Sequence, residues 1–365
     1  MGRDFSLDRR GFIAVAGGAA ASALVGAWAT PAAAQGDDDR GHGSTHDRDF
    51  NRDFNRDRGR GRLVPRDRLG IQLFTIRDQV AGAGFAAVFA ELERIGYKEV
   101  EFAGYTQGSV GPITIAQIKQ LLDDHGLRGV GSHVGYHSSN PNAVTFATNL
   151  TRVLDEAQAL GLPHIGTASS PARYGNTVDA WKRAAAEFNE YGAAAKARGM
   201  KFYQHNHGGE FGFATDKPEV RLYDVLLAET DPDLVYLQMD IYWAYVGQYL
   251  YSSRPDPNGG PPIPTPFDPL DYVLRNRERY PLFHVKDGVK DTTVPNGYRF
   301  ADVGDGDIDY QRFIEAVQDR DKRGRRKVRH HYIVERDDAP SNPAGSFSTA
   351  ERSHDHLTGL RETRH

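Results

Sequence analysis

Residues 164–205, HIGTASSPARYGNTVDAWKRAAAEFNEYGAAAKARGMKFYQH, decide the fold. A short apolar run, His164 to Ala168, leads to an amphipathic stretch from Val178 to Arg198, a stop at Gly199, and a second run from Lys201 to His205. Strand, helix, left-handed glycine cap and strand together make a parallel βα unit. Working outward, the same alternation gives strands at Leu69 to Ile76, Glu99 to Ala103, Gly129 to Val134, Val235 to Ile241, Leu282 to Val285 and Tyr332 to Glu335. Helical patterns lie between them, as at Phe85 to Ile95, Thr114 to His125, Ala143 to Leu160 and Tyr310 to Val317, several ending at Gly96, Gly126 or Gly161. Eight units over roughly 290 residues suit a single (β/α)₈ TIM barrel, which takes about 250. A doubly wound open sheet would carry a phosphate-binding glycine fingerprint after its first strand, and Ile71-Gln72-Leu73-Phe74-Thr75 has none.

The barrel, expected over 67–365, is preceded by two segments that cannot build a core. Arg9-Arg10-Gly11-Phe12, an apolar run to Trp28 and Ala32-Ala33-Ala34 have the layout of a signal peptide of twin-arginine type over 1–34. The apolar run, about 17 residues rich in Gly and Ala, is short for a bilayer span, so cleavage and no stable membrane insertion are expected. Residues 35–66 alternate Asp and Arg with Gly and Asn, repeating Arg-Asp-Phe-Asn at 48–51 and 52–55, and read as a disordered polar linker in which His42 and His46 are solvated. An exported protein, periplasmic or secreted, is the expectation.

A formal charge of −4 offers no basic excess for nucleic acid. Mean hydropathy is −0.59, which the polar front segment explains. The chain has no cysteine, so a metal would have to be held by His, Asp or Glu.

A barrel brings the C-terminal ends of its strands to one face. Here those ends are Glu101, His133, His205 with His207, Asp240, His284 with Lys286 and Asp287, and Glu335. Strands five to eight are neighbours in a closed barrel, so His205, Asp240, His284 and Glu335 can surround one divalent cation. Two imidazoles with two carboxylates suit Mn²⁺ first, with Zn²⁺, Co²⁺ or Fe²⁺ as alternatives, better than Ca²⁺.

Five motifs in order carry a resemblance: residues 202–211 (FYQHNHGGEF), 238–243 (QMDIYW), 283–287 (FHVKD), 304–309 (GDGDID) and 333–337 (IVERD). From about Leu69 onward the chain resembles the xylose-isomerase-like TIM barrels known as sugar phosphate isomerases/epimerases. The resemblance implies a single divalent metal on strands five to eight and proton abstraction next to a carbonyl or hydroxyl carbon. Two departures stand out. Many epimerases of the group have Glu on strand five, where this chain offers His205, leaving their pair of glutamate bases incomplete. Trp243 stands where related phosphodiesterases carry another histidine, which speaks against a DNA-repair endonuclease.

His207, two residues beyond His205, is the first candidate for the general base, Glu101 the second, and Lys286 the third catalytic candidate. His133 and Trp243 are substrate contacts, with Tyr245 and Tyr249 as further sugar-stacking surfaces. Only Arg336 and Lys286 offer themselves as phosphate clamps, so a non-phosphorylated sugar or keto-sugar is the expected substrate. The expected reaction is isomerisation or epimerisation; the alternatives are dehydration of a keto-sugar or cyclitol, and sugar binding without catalysis. The proline-rich stretch from Gly247 to Pro269 is long for a βα connection and reads as a cover over the site or an irregular surface loop.

Overall fold

Eight short strands, each followed by a turn or helix, account for the core. The structure, a computed structural model, describes residues 61–104, 113–318 and 327–363. The expected signal peptide and the linker as far as residue 60 lie outside the described residues. The strands are β1 (Leu69–Gln72), β2 (Glu99–Phe102), β3 (Arg128–Ser132), β4 (His164–Thr167), β5 (Lys201–His205), β6 (Val235–Asp240), β7 (Leu282–Val285) and β8 (His331–Val334). All pair in parallel, in the order β3-β2-β1-β8-β7-β6-β5-β4. A single bridge between His133 and Gly166 joins the two outer strands, so the ring is nearly closed and the open-sheet alternative falls. Gly166 is required there, because a Cβ would sit 2.3 Å from the carbonyl oxygen of Tyr203.

The helices are α1 (Arg77–Ile95), α2 (Ile115–Asp124), α3 (Phe146–Ala159), α4 (Val178–Lys196), α5 (Leu222–Glu229), α6 (Ile241–Leu250), α7 (Pro269–Arg275), α8 (Tyr310–Val317) and α9 (Ser346–Gly359). Their apolar stripes cover the outside of the barrel, as Phe85, Val88, Phe89 and Leu92 do on α1. Inside the barrel, Val130, Tyr203, Leu282 and Ile333 form a separate small apolar cluster, which floors whatever stands at the strand ends above it.

Three expectations change. The first strand stops at Gln72, because a turn closed by Thr75 N–H donating to the Gln72 carbonyl follows it. The stretch from Gly247 to Pro269 finishes α6 and then forms a two-residue hairpin, Ser253–Arg254 against Ile263–Pro264. The ordered body also begins before residue 67: Leu63 and Val64 are fully buried, and Leu63 N–H donates to the Leu360 carbonyl.

Candidate functional site

Four side chains at the ends of adjacent strands converge. The pleat sends alternate residues inward, so His205 on β5, Asp240 on β6 and His284 on β7 enter the barrel mouth, with Glu335 directly after β8. All four are buried, and one ligand atom from each lies within 4.8 Å of the others. His284 Nδ1 is 2.8 Å from Glu335 Oε2 and 4.0 Å from Asp240 Oδ2, and His205 Nε2 is 3.8 Å from the same Asp240 oxygen.

Asp240 divides its work between its two oxygens. Oδ1 caps α6 by accepting from Trp243 N–H at 2.9 Å. Oδ2 is buried with no hydrogen-bond partner among the described residues, its nearest charge being Lys286 Nζ at 2.9 Å. A buried carboxylate oxygen left without a donor, beside two imidazoles and a second carboxylate, fits a divalent cation, whose bonds of about 2.0–2.3 Å span such a set.

Charge is tightly coupled here. Burial raises Asp240 to about 6 against the pull of Lys286. Burial would also raise Glu335, but Lys286 and His284 hold it well below the carboxylate range. Burial disfavours charge on His284, yet Glu101 and Glu335, one on each ring nitrogen, lift it to about 10. His205 lacks such partners, and burial with the neighbouring imidazoles pushes it well below its ordinary value. Burial likewise disfavours charge on Lys286, but Asp240, Asp337 and Glu335 outweigh it and raise the ammonium well above its usual value. Its nitrogen sits 2.8 Å from Asp337 and 3.0 Å from Glu335. Asp287, next to Lys286 in sequence, instead accepts from the backbone N–H groups of Gly288, Gly304, Gly306 and Ile308.

The structure separates the other candidates. His207 lies just past the end of β5, half-buried, its ring 4.9 Å from that of His205 and 5.7 Å from that of Trp243. Trp243 is half-buried beside them, 5.7 Å from Lys286 Nζ, and its indole N–H is buried without a partner among the described residues. Glu101 does not sit as a base should. Its carboxylate accepts from Tyr203 (2.6 Å), Gln238 (2.6 Å), Gln72 (2.8 Å) and His284 (2.5 Å). Burial works against its charge, but His133 and His284 lower it to about 2, too acidic to take a proton from carbon. His133 stands deeper than a substrate contact needs: its Nε2 is 2.7 Å from Gln238 Oε1, and its ring stacks on His284. Arg336 is held by Asp302 and Asp338. Tyr249 is exposed, and its ring fills the space beside Gly297.

Sequence reasoning passed over Gln238, Tyr203, Gln72 and Asp337. The pleat could have found two of them, since Gln238 precedes Asp240 and Tyr203 precedes His205 by two residues and each shares its neighbour's face.

Comparison with known proteins agrees with the architecture. Residues 89–338 match the family profile described as xylose isomerase-like TIM barrel. An inosose dehydratase of Clostridium perfringens is 28% identical over 183 residues, 47% of this chain and 52% of the relative. The match thus spans about half the length of that curated relative. Among solved structures, a sugar phosphate isomerase/epimerase from Parabacteroides distasonis superposes with a TM-score of 0.59 at 22% identity, covering 80% of this chain and 98% of that one. The IOLI protein, solved with a zinc atom, gives 0.56 at 12% identity over 80% and 98% of the two chains. At such identities the superpositions speak for the fold alone.

Proposed function

Because this chain belongs to the xylose isomerase-like TIM barrel family, we propose that it is a sugar-modifying enzyme that uses one divalent cation to remove a proton next to a carbonyl. The substrate is a non-phosphorylated keto-sugar or cyclitol ketone, and a neighbouring hydroxyl then leaves as water. The observation that carries this reading is the saturation of Glu101, which, with Lys286 held among three carboxylates, leaves His207 as the base candidate among the described residues at the mouth. Two-base epimerisation needs a partner on the opposite face, whereas elimination and single-base isomerisation need one. The partial likeness to an inosose dehydratase supports elimination over isomerisation.

His205, Asp240, His284 and Glu335 hold the cation, with Mn²⁺ or Zn²⁺ foremost. When bound it supplies Lewis-acid stabilisation of the negative charge that proton removal leaves on the carbonyl oxygen. His207 takes the proton from carbon and can return it to the departing hydroxyl, so that one C–H and one C–O bond break and water is released. Lys286 holds the charge balance of Asp240, Glu335 and Asp337. Trp243 orients a substrate oxygen, since its indole N–H, without a partner among the described residues, is suited to a hydroxyl. Export is proposed on Arg9-Arg10 and the apolar run after it.

The test pairs metal content with product mass on a panel of keto-sugars and cyclitol ketones. Asp240→Ala and Glu335→Ala should lose metal and activity together. His207→Ala should keep its metal while turnover falls by about 10²–10⁴, the usual contribution of a positioned base. A product lighter by one water supports elimination, and conserved mass replaces it by isomerisation. Metal loss in His207→Ala makes that residue a ligand and removes the proposed base.

A further inference from the structure

Beneath the four converging side chains lies a second buried layer that the proposed chemistry does not use. At its centre is Gln238, fully buried on β6. Its Nε2 donates to Glu101 Oε1 at 2.6 Å, and its Oε1 lies 2.7 Å from His133 Nε2 and 3.0 Å from His205 Nδ1. The amide can face only this way. Glu101 is a carboxylate that only accepts, here from Tyr203 and Gln72 as well, and reversing Gln238 would set carbonyl oxygen against carboxylate oxygen at 2.6 Å.

With the amide fixed, the imidazole protons are fixed too. An oxygen that only accepts obliges His205 to carry its proton on Nδ1, so its lone pair is on Nε2, the nitrogen that faces Asp240 Oδ2. Glu101 does the same for His284: it accepts from Nε2 at 2.5 Å and leaves Nδ1 toward Glu335 and Asp240. An imidazole with its proton on the wrong nitrogen cannot ligate, and a buried ring has no water to exchange through.

We infer that Gln238 is a positioning residue that locks His205 in its Nδ1–H tautomer and so presets the site for its cation before any cation arrives. This rests on the reading of His205 as a ligand, and the test separates the two. Nitrogen NMR of ¹⁵N-histidine-labelled, metal-free protein reads the tautomer without metal. In the wild type, His205 should show a protonated Nδ1 and an unprotonated Nε2; the reverse pattern overturns the inference whatever the metal result.

Gln238→Leu removes the acceptor and should mix the two forms and weaken Mn²⁺ or Zn²⁺ binding by about 10–100-fold, the usual loss when a ligand's outer partner is removed. Gln238→Glu keeps an oxygen facing both rings, can share a proton with Glu101, and should retain the wild-type tautomer with affinity close to wild type. A merely structural role would lower the melting temperature in both variants without moving the tautomer, and that result overturns the inference. Should Gln238→Leu fail to fold, the wild-type spectrum and Gln238→Glu still decide it. A wild type with the expected tautomer that binds neither ion sinks the metal reading and leaves the tautomer assignment supported.

Discussion

At the scale of single residues, carboxylates of similar burial behave in opposite ways because of what surrounds them. Glu101 is surrounded by donors and stays ionised, whereas Glu210, in the turn after β5, is buried and accepts from the His207 backbone N–H, its own and Ser170, with no cation among these donors. Burial therefore lifts Glu210 from its ordinary 4.5 to about 7. An acid whose folded value is raised costs no stability below its unfolded value; the cost accrues as pH rises from 4.5 to about 7 and is constant above. That interval corresponds to about 3 kcal/mol. Glu210→Gln should accordingly stabilise the protein increasingly from pH 4.5 to 7, as followed by denaturant titration at several pH values. A stability difference flat with pH would show that Glu210 is not held neutral. His284 gives a second expectation. Flanked by Glu101 and Glu335 and raised to about 10, it holds a proton at neutral pH that a cation at Nδ1 must displace. Calorimetry in buffers of differing ionisation enthalpy should register about one proton released per cation, and affinity should rise with pH between 7 and 10. Binding without proton release would place the cation away from His284. The convergence of His205, Asp240, His284 and Glu335 was legible in the sequence, because ionisable residues at strand ends announce themselves. Gln238 shares the face of Asp240 by the pleat, but its role was not legible, since an amide carries no charge signature. Nor was the saturation of Glu101, whose partners come from β1, β5, β6 and β7 and meet only when the ring closes.

At the scale of elements, the segment after β7 shows why an acidic motif need not be a site. Residues 304–309 carry three aspartates, but Asp287 gathers the backbone N–H groups of Gly304, Gly306 and Ile308 onto its own carboxylate and folds the loop around itself. Asp305 turns away to Arg352, and Asp307 accepts from Lys290 N–H. A Cβ at Gly306 would stand 2.0 Å from Asp287 Oδ1 and 2.6 Å from the Gly288 nitrogen. Gly306→Ala must therefore push the loop off its anchor. Asp287→Ala should lower stability by more than about 2 kcal/mol by leaving several buried N–H groups unpaired, and Gly306→Ala should follow in the same direction. Both are read by chemical denaturation, with metal affinity as the control; a variant of unchanged stability would mean that the loop is anchored by other contacts. The alternation of strands and helices was legible throughout because its period is written in the hydrophobic pattern. The hairpin inside 247–269 was not, since two-residue strands leave no periodicity to read.

At the scale of the whole molecule, the two faces of the barrel do different work. The C-terminal face gathers the converging ligand candidates. The N-terminal face is closed by a polar layer in which Glu99 pairs with Arg128 at 3.0 Å and His331 at 2.7 Å, and His331 meets the ring of His164. Below that layer residues 61–64 are tied to the segment after α9 and run antiparallel to it: Arg62 bridges Arg361, Leu63 N–H donates to the Leu360 carbonyl, and Glu362 N–H donates to the Gly61 carbonyl. Leu63 and Val64 are thereby fully buried in the core, and Gln318 donates to the Leu63 carbonyl at 3.0 Å. Composition had placed this pair at the end of a polar linker, because two apolar residues amid arginines are too few to register as an element. The strap makes a sharp comparison possible. A chain beginning at residue 61 keeps the pair, and a chain beginning at residue 67 loses it. Burying two such side chains contributes about 3–6 kcal/mol. The shorter chain should be less stable than the longer by that order in chemical denaturation, while the ligand candidates, on the opposite face, keep their arrangement and their metal affinity at temperatures where both chains are folded. Equal stability would show that the strap only lies against the barrel, and loss of metal affinity in a folded shorter chain would show that the two faces are coupled through the barrel interior.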